Sequence, residues 1–196
     1  MKRCIAALSV VAALAAGCGV SANDEPHEIA ASDLPSDLMA STTTPTVATS
    51  VSPTNASVTV YYLVLQDGVT KLRGVTRDVA DPSRARDRLA ALLAPPSAEE
   101  QAAGLLTSIP ADTVLLDSEL VEADDELVVD LSRSLFDVQG EELRNAFAQL
   151  VWTVTELEGV RRVRFLVDGE EFRAPDAAGI EQPGAVTRLD YSTLAP

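Results

Sequence analysis

The segment from Glu141 to Glu158, EELRNAFAQLVWTVTELE, limits the choice of fold more than any other. Leu143, Ala146, Phe147, Leu150, Val151, Val154 and Leu157 recur at the spacing of one helical face, a stripe wide enough to require a covering layer. Glutamates open the segment where the helix dipole favours acid, and Gly159 follows where a left-handed C′ residue ends a helix. Three strand pairs are read as the covering material. Val58–Leu65 and Val69–Val79 join through Gln66-Asp67-Gly68, and Thr113–Val121 and Leu127–Ser132 through an acidic turn at Asp124-Asp125-Glu126. Val160–Val167 pairs with the segment from Glu170 across Asp168-Gly169, a favoured type I′ signal. A shorter helix is expected from an Asp81 cap with Pro82 in first position, burying Ala85, Leu89, Leu92 and Leu93 and stopping at Pro95-Pro96. Ser97–Ala103 reads as one more short helix, Gly104–Thr113 as a loop, and Val186–Tyr191 as a last strand. The class is α+β, in one domain over residues 58–196.

Ahead of that domain the composition changes. Residues 18–57 show no sustained apolar pattern and include ASTTTPTVATSVSPTNAS, which cannot bury enough surface to offset its ordering entropy. The segment reads as a disordered tether with an end-to-end distance of about 30–40 Å. Residues 1–17 read as a signal peptide: Met1-Lys2-Arg3 precedes an apolar run, Ile5–Ala16, too short for the roughly 20 residues a membrane span needs. Cys18 follows Ala15-Ala16-Gly17, which resembles a bacterial lipobox, although Leu14 stands one place further back than usual. Cys18 is therefore the expected lipidation site, anchoring the chain to the extracytoplasmic face of the cell membrane. Cys4 leaves with the signal, so lipid attachment accounts for the one thiol that remains, and no internal disulfide is expected.

Charge and residue inventory narrow the chemistry. The chain has 15 basic and 30 acidic residues, a net of −15, and loss of Lys2 and Arg3 makes it more negative still. Such a chain is repelled by nucleic acid and by anionic headgroups. The only histidine, His27, lies in the tether, which excludes a Ser-His-Asp triad and His-based zinc sites from the domain. No Gly-rich phosphate loop is present, no cofactor is expected, and three consecutive acids do not match a calcium loop. Carboxylate pairs are the remaining enzymatic option, at Asp124-Asp125-Glu126, Glu141-Glu142 or Glu170-Glu171. Each also suits a solvated turn, a helix N-terminus or a strand start. Two features mark a candidate binding surface. Trp152 lies about 180° from Leu143 on the helical wheel, opposite the stripe, where it is either covered by the tail or another layer or, if exposed, a contact for a partner or glycan. Arg161, Arg162 and Arg164 form a local basic cluster suited to an acidic partner, or to pairing with nearby glutamates.

VYYL, ARDRLAALLAPP, GLLTSIPADTVL, VVDLS, AFAQLVWTVTELEGVRRVRFLVDG and TRLDY, in that order, together resemble a GerMN domain, named for sporulation and spore germination. The resemblance covers about Val58 to Tyr191 and is most specific from Gln149 to Gly169. With the lipobox and tether, the arrangement is similar to small actinobacterial envelope lipoproteins. It implies an α+β domain of hairpins alternating with two main helices, and a binding or assembly role. It supplies no catalytic residue. The expected function is thus a non-enzymatic module that binds another envelope protein. The alternative is a peptidoglycan- or glycan-directed protein, binding the polymer or hydrolysing it with a carboxylate pair.

Overall fold

Alternate residues of the first strand, Val58, Val60, Tyr62 and Val64, are buried in the core, while every residue of it pairs with a hairpin partner. A computed structural model describes residues 56–196 of the chain. The signal peptide over 1–17, Cys18 and nearly all of the tether lie outside the described residues. The strand starts at Ala56, two residues before the expected boundary.

β1 (Ala56–Gln66) and β2 (Val69–Val79) pair antiparallel in unbroken register, from Ala56↔Val79 to Gln66↔Val69. Asp67 and Gly68 have φ of 52° and 80°, the two left-handed positions of a type I′ turn, which Asp-Gly adopts readily. α1 (Ala85–Leu93) begins later than the Asp81-Pro82 pair suggested. The Asp81 carboxylate instead accepts hydrogen bonds from the Ser83 backbone N–H and hydroxyl, which closes a local turn and leaves Arg84 as the capping residue. α2 (Ala98–Ala102) starts at Ser97 with a reciprocal capping box to Glu100. Gly104–Thr113 is not wholly loop: β3 (Leu105–Leu106) pairs with β1 at Leu63↔Leu106 and Val64↔Leu105. Two residues are too few to leave a periodic pattern. The first sheet runs β2-β1-β3.

The second sheet runs β4-β5-β6-β7. β4 (Leu115–Val121) and β5 (Glu126–Leu131) are antiparallel and joined by a 3₁₀ turn at Glu122–Asp124. Glu126 therefore belongs to a strand and is buried, not part of the turn. From β5 the chain passes through an unforeseen 3₁₀ turn at Arg133–Asp137 and α3 (Glu141–Val154) before entering β6 (Arg162–Val167) parallel to β5. A parallel neighbour needs such a crossover. β7 (Glu170–Phe172) closes the sheet across Asp168-Gly169, with φ of 50° and 80°. α3 stops at Val154, short of Glu158, because the Thr155 hydroxyl donates back to the Val151 carbonyl and a tail arginine takes the Trp152 carbonyl. The tail adds one bridge, Val186↔Val163, and then a 3₁₀ segment at Arg188–Leu194 in place of the expected strand. Asp190 accepts from the Thr187 N–H and hydroxyl, turning the chain where a strand would continue.

α3 is the central element. Phe147 lies 4.8 Å from Phe165 and 5.5 Å from Phe172, ring centre to ring centre, and Leu150, Val151 and Val154 are fully enclosed. The first sheet is fastened to α2 by Arg77, whose guanidinium donates to both oxygens of Glu100 and lies over the Tyr62 ring. The bonds from Arg77, and then from the Ser97 N–H, hold the Glu100 carboxyl at about 2, against an ordinary value of 4.5. A carboxyl depressed in the folded state adds stability that is complete above the unfolded value and disappears as pH falls from 4.5 toward 2. Glu100→Gln is expected to flatten the acid limb of a Tm-against-pH curve in that window. Parallel acid limbs for the two proteins would show that the pair does not couple to folding.

Candidate functional site

The basic sequence candidates pair with Asp124-Asp125-Glu126 and with Glu171. Parallel pairing sets Glu126 opposite Arg162 and Val128 opposite Arg164, bringing the arginines of β6 beside the acids that open β5. Arg161 pairs with Asp125 at 3.3 Å, and Arg162 with Asp124 at 3.6 Å and Glu126 at 3.8 Å. Arg164 bridges Glu126 at 2.7 Å and Glu171 at 3.0 Å. This ladder ties the turn and the β7 strand to β6. The outer rungs, Arg161 above all, are solvated and contribute little.

Trp152 is half-buried, because the face opposite the apolar stripe is also covered. The Arg188 guanidinium lies 4.6 Å from the ring centre, and Tyr61 meets the ring edge-on at 5.6 Å. Arg188 also donates to the Thr155 hydroxyl at 2.6 Å, the Trp152 carbonyl at 3.0 Å and Glu156 at 2.6 Å, while the Tyr61 hydroxyl donates to the same Glu156 oxygen. Burial raises the Glu156 carboxyl, but the bonds from Arg188 and Tyr61 outweigh it and hold the group below its ordinary range. Arg188 and Arg161 share the wall of a shallow depression of about 370 Å³ beside Leu189, which is 82% exposed. Arg161 thus borders this depression, Trp152 lies beneath Arg188, and Arg162 and Arg164 belong to the ion-pair ladder alone.

A second surface went unread in the sequence. α3 carries polar side chains at i, i+4 spacing, Glu141, Asn145, Gln149 and Thr153, which stack along one face. The lower two cap the free edge of β1. Thr153 accepts from the Tyr61 N–H at 3.0 Å, and Gln149 donates to the Tyr61 carbonyl at 3.0 Å while accepting from the Ser108 N–H at 2.9 Å. Arg88 of α1 donates to the Thr59 carbonyl on the same edge. Asn145 stands one turn nearer the helix start. The residue is 8% exposed; its carboxamide makes no hydrogen bond among the described residues, and its polar atoms keep contact with solvent at the groove. It opens onto a groove of about 450 Å³ between the start of α3 and the end of the first sheet, bordered by Leu65, Leu106, Ser108, Glu141 and Glu142. A smaller depression continues on the other side of Asn145 and Thr70, under the β1–β2 turn. Leu65, Val69 and Leu106 are 65%, 53% and 57% exposed, an unusual concentration of bare aliphatic surface around an acidic wall. Of the three carboxylate candidates, Glu141-Glu142 faces this groove.

A family model described as Germane, sporulation and spore germination, matches residues 59–172. The fold is similar to the tandem GerMN domains of the sporulation protein GerM from Bacillus subtilis: 24% identity and a TM-score of 0.52, covering 69% of this chain and 45% of that one. It is also similar to the first GerMN domain of that protein, at 19% identity and a TM-score of 0.50, covering 68% of this chain and 98% of that one. The chain thus spans less than half of the tandem structure but nearly all of the single domain. No curated protein matches it.

Proposed function

We propose, from the premise that the chain belongs to the Germane family of sporulation and spore germination domains, that it is an envelope lipoprotein whose domain binds another protein. Cys18 carries the lipid, and the domain works on the extracytoplasmic face without catalysis. The observation that carries this reading is the aliphatic rim of Leu65 and Leu106 on the groove, continued by Val69 on the adjoining depression. The described chain starts at Ala56, and β1 runs its full length, about 34 Å, to reach that rim. Among the described residues, no helix is long and apolar enough to cross a membrane.

In-cell cross-linking of the full chain, followed by affinity purification, tests the reading. Wild type is expected to retain one specific envelope protein, and the double variant Leu65→Asp, Leu106→Asp to lose it. Cys18→Ala is expected to move the chain out of the membrane fraction. Retention of Cys18→Ala in membranes would refute the anchor. Capture of cell-wall glycan alone, with turnover abolished in Glu141→Gln, Glu142→Gln, would replace protein binding by the carbohydrate reading.

A further inference from the structure

We propose that the groove at the start of α3 holds an extended, basic peptide segment of the protein partner, with the Asn145 carboxamide gripping its backbone. The inference rests on the protein-binding reading and names the chemistry of that site. One turn along the same helix face, Gln149 shows the interaction: its carboxamide takes a backbone N–H from Ser108 and gives a hydrogen to the Tyr61 carbonyl. Asn145 presents the same donor and acceptor, nine-tenths buried, without a partner in the described domain and open to the groove. Its free donor and acceptor reach solvent only through the groove, and an extended backbone offers the complementary C=O and N–H.

The remaining groups set the sequence preference. Glu141 and Glu142 are exposed beside the groove and have no ion-pair partner among the described residues. Their two charges outweigh the partial positive charge of the helix end, of about half a unit, so the net attraction is for Lys or Arg. Leu65 and Leu106 give the alkyl stems of those residues, or apolar neighbours, a surface to rest on. The chain's net charge of −15 favours approach of the same kind of partner. No aromatic ring lines the groove to receive the face of a sugar, which favours peptide over glycan.

The test is an NMR titration of the isotope-labelled full chain, purified in detergent, with three probes. These are a capped peptide alternating leucine and lysine, its leucine–glutamate counterpart, and soluble peptidoglycan strands. The leucine–lysine peptide is expected to shift the Asn145 side-chain amide and the backbone signals of β3 and the first turn of α3. Asn145→Ala should weaken that binding about tenfold, and Glu142→Gln severalfold, with the leucine–glutamate peptide inert. Glu142 is exposed, so its variant keeps the test intact if Asn145→Ala does not fold. The inference is overturned if the leucine–lysine peptide gives no saturable shift, if both variants bind as wild type does, or if only the glycan strands occupy the groove. Should that happen while Leu65→Asp, Leu106→Asp still abolishes the in-cell protein cross-link, the backbone grip falls and the protein-binding reading stands. Absence of any protein cross-link in wild type removes the reading itself.

Discussion

Replacing Gln149 with leucine is expected to destabilise the domain by about 3 kcal/mol and to lower its Tm by about 10 °C. Leucine is close to glutamine in volume, so packing alone forecasts a small change. Hydrogen bonding forecasts a large one. Gln149 is fully buried and serves two backbone groups, the Tyr61 carbonyl at 3.0 Å and the Ser108 N–H at 2.9 Å. A leucine leaves both unpaired, at about 1–3 kcal/mol each, reduced here because the β1 edge can relax toward solvent. Thr153→Val removes the acceptor for the Tyr61 N–H alone and should cost about 1 kcal/mol. Denaturant titration of both variants separates the two accounts. A Gln149→Leu midpoint equal to wild type would mean that α3 packs on β1 without capping it. The same variant should also loosen the groove, because Ser108 belongs to its wall.

Much of the scaffold could be read directly from local signals. Asp67-Gly68 and Asp168-Gly169 each supply two left-handed residues between β-branched runs, and nothing distant is needed to make them turns. The stripe on α3 is equally local. What escaped depends on partners remote in the chain. Alternation along Val163, Phe165 and Val167 marks a strand but does not say that its second neighbour is the parallel β5. The two residues of β3 make a strand only because β1 offers a free edge at Leu63 and Val64. Trp152 lies opposite the stripe, as the wheel placed it, and of its two readings the covered one holds; what the wheel could not name is Arg188 of the tail as the cover. The column Glu141, Asn145, Gln149 and Thr153 was visible as spacing. Its meaning required knowing that a strand edge runs alongside, so that two of its members cap backbone and two do not.

Arg188→Ala is expected to cost about 2–3 kcal/mol and to expose Trp152, although Arg188 belongs to the tail and touches nothing in the groove. Three consequences add. The stacking on the indole is lost, together with the bonds to the Trp152 carbonyl and the Thr155 hydroxyl at the end of α3. Glu156, partly shielded, is left with the Tyr61 hydroxyl and no cation in contact. The groups remain partly solvated, so the total stays below that for breaking a fully buried ion pair. Tryptophan emission gives a direct readout, because Trp152 is the only tryptophan in the chain. The variant should show a red-shifted maximum and stronger acrylamide quenching, along with the lower Tm. Arg188→Lys restores the charge but not the planar fork that serves three acceptors at once, so it should recover only part of the stability and little of the shielding. An unchanged emission spectrum in Arg188→Ala would show that the tail does not cover Trp152 in solution, and would return that ring to consideration as an exposed contact for a partner.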